Sequence, residues 1–195
     1  MTVEHTGRVP TDVPVMFVSN HVSLADAAVL LAVLPFDIRF VANHVFATYP
    51  FLGAAIRAAS AHIVDRDSWK SRAECGQTMT DRLSAGQSLL VFPEGGTSDD
   101  GRLRPFRRGA FRAAARTGRT IIPVVIQGTR DMLPSDTYLL ANAPVSIDVL
   151  EPLIARDGSR EGVADLTVRT AEAISRHMNP AQKIRWGGSD KWRSQ

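Results

Sequence analysis

The sequence predicts an α/β fold in which a mainly parallel sheet is covered by helices. Short apolar runs alternate with longer amphipathic stretches along most of the chain, and this alternation is typical of parallel strands joined by helices. The run 120–126 is apolar almost throughout, as expected of a strand buried on both faces of a sheet. Polar loops follow several of these runs, so we expect functional residues at the carboxyl ends of strands.

The length of the chain is typical of one domain. Its 195 residues, of which 44% are hydrophobic and 22% are charged, suffice for one well-buried core. We therefore predict a single domain over 1–195, in which the irregular stretch 179–195 forms a flexible tail.

The N-terminal half contains the first predicted strands and helices. Ser23 can open a helix directly after the loop that follows the first strand, because its side chain can accept a hydrogen bond from the first turn. Pro50 and Gly53 break the helical spacing of a second stretch into pieces. The predicted elements are strands over 13–18, 37–42 and 61–64, and helices over 23–34 and, in pieces, 44–60.

The C-terminal half continues the alternation. Asp67 or Ser68 can cap a helix that ends at Gly86, and Gly118 ends the next helix, because glycine readily adopts the left-handed conformation at that position. The predicted elements are helices over 68–85, 107–117 and 163–178, and strands over 88–92, 120–126 and 144–150.

The net charge is small, but the arginines are unevenly distributed. The formal charge is +3, whereas one stretch holds Arg102, Arg104, Arg107, Arg108, Arg112, Arg116 and Arg119. This stretch favours an anionic headgroup, a phosphorylated donor or a membrane surface as its partner, or it is simply a solvated helix face. No nucleic-acid partner is expected, because no nucleic-acid-binding motif accompanies the charge.

Cysteine usage and hydropathy indicate the compartment. Cys75 is the only cysteine, so we expect neither an internal disulfide nor a cysteine-rich metal site, and a reducing, cytoplasmic setting fits. The longest apolar stretch, around 27–36, is shorter than the ~20 residues that a membrane-spanning helix requires. Any contact with the inner face of a membrane is therefore expected to be peripheral.

A histidine and an acid lie close together just after the first predicted strand. Asp26 follows His21 by five positions. A carboxylate that holds one ring nitrogen fixes the tautomer of a histidine, and the other nitrogen can then take a proton from a hydroxyl near neutral pH. The competing interpretation is a capping box, in which the acid of Ser23-Leu24-Ala25-Asp26 bonds back to the start of the helix.

Three further motifs follow in the chain. After Asn20-His21 with Asp26 come Ile63-Val64-Asp65-Arg66, Phe92-Pro93-Glu94-Gly95 and Ile121-Ile122-Pro123-Val124. In this order they resemble the four motifs of the glycerolipid acyltransferase family, the PlsC-like 1-acylglycerol-3-phosphate acyltransferases. The basic link Pro105-Phe106-Arg107-Arg108-Gly109 is similar to that family as well.

The resemblance implies a fold, an activity and a set of roles. The fold would be that of the glycerol-3-phosphate acyltransferases, and the enzyme would move a fatty acyl group from acyl-CoA or acyl carrier protein to a lysophospholipid hydroxyl in phospholipid biosynthesis. His21 would be the general base that Asp26 orients, without a metal or other cofactor. Substrate binding would fall to residues of the second and third motifs: Arg66, Glu94, Gly95, Gly96, Thr97 and Ser98.

The chain departs from the family pattern at three places, one of which is Ser60 in place of the glycine that usually begins the second motif. Thr97 stands where the family usually has an arginine, which puts the lysophosphatidate acceptor in question. Asn43-His44 stands where many members have a lysine, so Asn43, His44 or the backbone would supply the oxyanion donor, while Asn20 would hold its loop. The alternatives are acyl transfer to an amino-acid-derived lipid or to a soluble hydroxyl or amine, and a non-catalytic lipid-binding relative.

Overall fold

A computed structural model of the chain describes residues 2–5, 9–34, 38–43, 62–64, 69–98, 100–134 and 139–179. Several sequence predictions lie outside these residues: the helix over 44–60 with His44, the motif pair Asp65-Arg66, the cap at Asp67 or Ser68, and the tail beyond 179. The side chain of Asn43 also lies outside the description.

In the part of the chain that the structure describes, seven strands form one sheet. They are β1 (Thr2–His5), β2 (Met16–Ser19), β3 (Ile38–Asn43), β4 (His62–Val64), β5 (Ser88–Val91), β6 (Ile121–Gln127) and β7 (Ser146–Val149). Their order across the sheet is β1-β7-β6-β2-β5-β3-β4. Every neighbouring pair is parallel except β6 with β7, which is antiparallel. The predicted α/β class with a mainly parallel sheet is therefore confirmed.

Helices cover both faces of this sheet. They are α1 (Ala25–Val33), α2 (Trp69–Ser84), α3 (Gly109–Thr117), the short α4 (Thr129–Met132) and α5 (Arg160–His177). Met16 and Val18 of β2 pack in a core cluster with α2, α3 and α5, whereas Phe17 packs in the cluster that contains Leu30 of α1. Alternate residues of a strand point to opposite faces, so the central strands are apolar on both sides. Within the described ranges no helix combines the length and apolar character needed to cross a membrane.

Two elements were not predicted from the sequence. Strand β1 offers a single half-buried apolar side chain, Val3, and it forms because its backbone pairs with β7 at the edge of the sheet. Helix α4 is four residues long, too short to show a hydrophobic period. Both elements depend on partners far away in the chain, which local patterns do not reveal.

Several predicted boundaries also shift, and two of these shifts have a clear physical reason. Strand β2, predicted over 13–18, begins at Met16 rather than at 13, because Val13 is exposed and Pro14 has no amide to donate to a neighbouring strand. Helix α5 begins at Arg160 rather than at 163, because the Ser159 hydroxyl accepts a hydrogen bond from the Gly162 amide at 2.9 Å and caps the first turn.

The topology places three loops together. Strand β2 lies between β5 and β6 and is parallel to both. The segments that follow these three strands therefore leave the same edge of the sheet. They begin at Asn20, Phe92 and Gly128.

Candidate active site

Asn20 holds the loop after β2 against β6. Its side-chain Nδ2 donates to the Ile126 carbonyl at 2.9 Å, and its Oδ1 accepts from the Ile126 amide at 2.9 Å. Ser19 is the last residue of β2 that pairs with β6, so the amide of Asn20 extends the ladder between the two strands by side-chain bonds. The next residue, His21, is therefore held just beyond the end of the sheet.

His21 and Asp26 form a buried hydrogen-bonded pair. His21 Nδ1 lies 2.8 Å from Asp26 Oδ2, and the two side chains are 9% and 0% exposed. The imidazole also stacks on Phe92, with ring centroids 4.1 Å apart and an interplanar angle of 12°. The carboxylate and the aromatic ring together fix the imidazole plane. Since Nδ1 is bonded to Asp26, Nε2 is the nitrogen available to a substrate.

Asp26 makes bonds that belong to both interpretations of its motif, although helix α1 begins at Ala25 and its N-cap residue, Leu24, makes no side-chain cap bond. Its Oδ2 accepts hydrogen bonds from the amides of Val22 at 2.7 Å and Ser23 at 2.9 Å, which is the local bonding expected of an acid that caps a helix. The same oxygen accepts from His21, and Oδ1 accepts from the Thr129 hydroxyl at 2.5 Å. These four donors compensate for the complete burial of a charged carboxylate.

Thr129 is a site residue that the sequence analysis missed. It is the first residue of α4, it is fully buried, and it follows Gly128, whose φ is +86°. A Cβ on Gly128 would lie 1.9 Å from the Pro144 carbonyl oxygen, so the turn that delivers Thr129 accommodates glycine alone. A Gly-Thr pair directly after the most apolar strand was the available signal, but no motif links it to Asp26.

Glu94 connects the third-motif loop to the histidine loop. Its Oε1 accepts from the His21 amide at 2.8 Å, and its Oε2 accepts from the Arg104 amide at 2.7 Å. Burial raises the pKa of the Glu94 carboxyl from 4.5 to about 8, against the lowering effect of these two amides. Both oxygens bond to backbone amides, which is the geometry of a residue that holds the loop.

The rest of the third motif curls beside His21. The Ser98 amide donates to the His21 carbonyl at 2.9 Å, so the loop is joined to His21 at both of its ends. Gly95 has a φ of +83°, and the Arg107 guanidinium lies against it. The Thr97 carbonyl accepts from Arg104 Nη1 at 3.1 Å.

The structure therefore brings most of the predicted site to one edge of the sheet. The residues gathered there are Asn20, His21, Asp26, Glu94, Gly95, Gly96, Thr97 and Ser98. The acceptor-binding role of Arg66 and the oxyanion roles of Asn43 and His44 stay predictions, because those side chains lie outside the described residues. Within the described ranges, no three His, Cys, Asp or Glu side chains are grouped as metal ligands.

The geometry suits general-base chemistry on a hydroxyl. A histidine with one nitrogen held by a buried carboxylate can take a proton on the other, and the carboxylate stabilises the imidazolium that forms. His21 follows the carboxyl end of β2, where Phe92 stacks on its ring and the third-motif loop bonds to its backbone. A proton transfer at Nε2 would therefore take place at this end of the sheet rather than inside the apolar core.

Comparison with known proteins points in the same direction. A family model described as Acyltransferase matches residues 1–127, which contain all four motifs. The chloroplastic 1-acyl-sn-glycerol-3-phosphate acyltransferase BAT2 of Brassica napus is 31% identical over 144 residues, or 73% of this chain and 42% of that protein. The lyso-ornithine lipid O-acyltransferase of Pseudomonas aeruginosa is 32% identical over 188 residues, or 88% of this chain and 70% of that protein.

A solved structure is similar over nearly the whole chain. The crystal structure of the 1-acyl-sn-glycerophosphate acyltransferase PlsC from Thermotoga maritima matches with a TM-score of 0.72 and 26% identity, covering 96% of this chain and 74% of that one. The chain spans less than half the length of the chloroplastic relatives, 42% of one and 43% of another. Since the family model covers more than half of the chain, and the fold matches that of PlsC, this chain belongs to the acyltransferase family.

Proposed function

We propose that the chain transfers a fatty acyl group from the thioester of acyl-CoA or acyl carrier protein to a hydroxyl of a lysophospholipid such as lysophosphatidate. The observation that carries this proposal is the 2.8 Å contact between His21 Nδ1 and Asp26 Oδ2 in a buried setting. Relatives named for acyl transfer to 1-acyl-glycerol-3-phosphate support the choice of acceptor.

The reaction needs one base and no covalent enzyme intermediate. His21 Nε2 removes the proton of the acceptor hydroxyl while its oxygen attacks the thioester carbonyl. The tetrahedral intermediate then expels the thiolate, which takes the proton back from the imidazolium. Asp26 holds the tautomer and offsets the positive charge, and general-base assistance of this kind contributes about 100- to 10,000-fold.

An amino-acid-derived lipid is the second candidate acceptor. The Pseudomonas aeruginosa relative is named for acyl transfer to lyso-ornithine lipid, and its similarity extends over 88% of this chain. Thr97 in place of the arginine usual at that position is compatible with an acceptor other than lysophosphatidate. The chemistry at His21 would be the same, so acceptor choice is a separate question from activity.

The test measures thiol release from a long-chain acyl-CoA, with lysophosphatidate, with lyso-ornithine lipid and without acceptor. We expect acceptor-dependent release that falls at least 100-fold in His21→Ala. The matched control is His177→Ala, because His177 is an exposed histidine of α5 that bonds to the Ala173 carbonyl. Equal rates in His21→Ala and the native chain would exclude His21 as the base. Thiol release with lyso-ornithine lipid but not with lysophosphatidate would select the second acceptor.

We further propose that the protein works as a cytoplasmic, peripheral enzyme at the inner face of a membrane, where its lipid substrates reside. Leu139 and Leu140 support this, because their side chains are 79% and 72% exposed. They lie between α4 and β7, at the same sheet edge as His21. Exposed apolar side chains beside a site for lipid substrates favour contact with a bilayer.

A further inference from the structure

We propose that Arg104 and Arg107 bind the phosphate of the acceptor beside the glycine loop Gly95-Gly96-Thr97. The inference rests on the proposed acyl transfer and names the acceptor class of that site. These two arginines would act beside Arg66, whose role in substrate binding is implied by the family resemblance alone.

Backbone bonds place the two arginines against the loop. The Arg104 amide donates to Glu94 Oε2 at 2.7 Å, and the Arg107 amide donates to the Pro93 carbonyl at 2.9 Å. The returning segment 104–107 therefore runs alongside the third motif. The backbone positions of Arg104 and Arg107 are therefore fixed relative to the third motif.

The side chains of both arginines lie on the glycine loop. Arg104 Nη1 donates to the Thr97 carbonyl at 3.1 Å. A Cβ built on Gly95 would lie 2.7 Å from Arg107 Nε, so the guanidinium occupies the space that glycine leaves open. Both residues are exposed, so their remaining N–H donors can meet a ligand.

These guanidinium groups are close to the proposed base. Residues at both ends of the loop, Glu94 and Ser98, bond to the backbone of His21. Two residues span at most about 7 Å of chain, so groups resting on the middle of this curled loop lie within roughly 10 Å of the His21 backbone. A phosphate that shares a glycerol unit with the reacting hydroxyl fits this spacing, whereas the phosphates of CoA are separated from the thioester by the long pantetheine arm.

The charges also favour an oxyanion ligand. Arg102 pairs with Asp100 at 3.7 Å, whereas both oxygens of the Glu94 carboxyl beside Arg104 are bonded to backbone amides. The Arg107 guanidinium lies against Gly95 and that of Arg104 lies against Gly96, and guanidinium forks present paired donors that match phosphate oxygens.

The test is a comparison of kinetic constants for acceptors with and without phosphate. We expect Arg104→Gln and Arg107→Gln each to raise the KM for lysophosphatidate about tenfold or more, while the KM for a monoacylglycerol and the KM for acyl-CoA stay within twofold. The matched control is Arg156→Gln, because Arg156 is exposed and lies far from the site. It follows Leu153, which pairs with Ile121 at the amino end of β6, whereas the site lies at the carboxyl end. This variant should leave every constant unchanged.

Four outcomes decide the inference, and the two that come from calorimetry separate it from the proposed function. An unchanged KM for lysophosphatidate in both variants overturns the inference, and a rise confined to acyl-CoA assigns the arginines to the donor and overturns it too. Binding of glycerol 3-phosphate, measured by calorimetry, needs no catalysis. If the native chain binds it and the double variant does not, the site stands even where no acyl transfer is found; if the native chain does not bind it, the inference fails.

Discussion

At the residue scale, the carboxylate of Asp26 is fixed before any substrate arrives. The amides of Val22 and Ser23 hold Oδ2, and the Thr129 hydroxyl holds Oδ1. Because three donors besides His21 determine its orientation, the carboxylate can stay in place when the imidazole gains or loses a proton. Such preorganisation lowers the reorganisation that the reaction would otherwise require.

Thr129 is therefore expected to be a positioning residue. Thr129→Val removes the donor to Asp26 Oδ1 while keeping the shape of the side chain, and it should lower kcat about tenfold with little change in KM, because a hydrogen bond to a buried charge is lost. Thr129→Ser should restore most of kcat. Steady-state rates of thiol release across pH 6 to 9 measure both variants.

Thr117→Val provides the control for that substitution. The Thr117 hydroxyl bonds to the carbonyls of Ala113 and Ala114 within α3, so its loss should leave kcat unchanged. A Thr129→Val enzyme with native kcat and a native pH profile would contradict the positioning role. A variant that merely melts earlier, with its kcat intact below the melting temperature, would reduce Thr129 to a structural residue.

The sequence located part of this site because part of it is local. His21 and Asp26 lie five positions apart, so their contact follows from one turn of chain at the start of α1. Thr129 lies 103 positions from Asp26, and Glu94 lies 73 from His21, so these bonds depend on the pairing of strands. For Glu94 the sequence left two roles open, acceptor binding or loop holding, and the bonds of both its oxygens to backbone amides favour loop holding.

At the element scale, the turn from β6 into α4 depends on Gly128. Its φ of +86° suits glycine, and the Pro144 carbonyl lies where a Cβ would be. Apolar periodicity predicted β6 and the longer helices, but it predicted neither α4 nor β1. Those two elements are short and form because α1 and β7 are present to pack or pair with them.

Gly128→Ala should therefore destabilise the protein by about 2 kcal/mol or more, because the added methyl meets backbone that cannot yield easily. Gly118→Ala is the matched control: Gly118 also has a positive φ, +61°, but nothing lies within 4 Å of its Cβ position. Its cost should be about 1 kcal/mol. Urea unfolding of both variants measures the difference, and equal losses would show that the Pro144 contact is relieved by local movement.

At the scale of the whole molecule, the sheet gathers chemistry at a single edge. The alternation of apolar runs and helices predicted a mainly parallel sheet, and parallel strands place their following loops together. The strand order β1-β7-β6-β2-β5-β3-β4 was beyond sequence reasoning, since pairing between β2 and β6 involves residues more than a hundred positions apart. That order is what brings Asn20, Phe92 and Thr129 around one histidine.

The same edge is expected to be the membrane-facing side. Leu139 and Leu140 are exposed there, and Arg104 and Arg107 add positive charge that an anionic bilayer attracts. Replacing both leucines by serine should weaken partitioning to vesicles of phosphatidylcholine and phosphatidylglycerol about tenfold, because burial of each leucine contributes about 1.5 to 3 kcal/mol when complete.

Vesicle sedimentation at fixed salt measures this partitioning, with Ile154→Ser as the matched control. Ile154 is 55% exposed, but it follows Leu153, which pairs with Ile121 at the opposite edge, so its loss should leave partitioning unchanged. A bilayer at the sheet edge that carries His21 would also present lysophospholipid hydroxyls directly to this histidine. In the double leucine variant, acyl transfer on vesicles should therefore fall as partitioning falls, while acyl transfer to an acceptor in detergent micelles stays near the native rate. Equal partitioning of the double leucine variant and the native chain would place the contact on another surface.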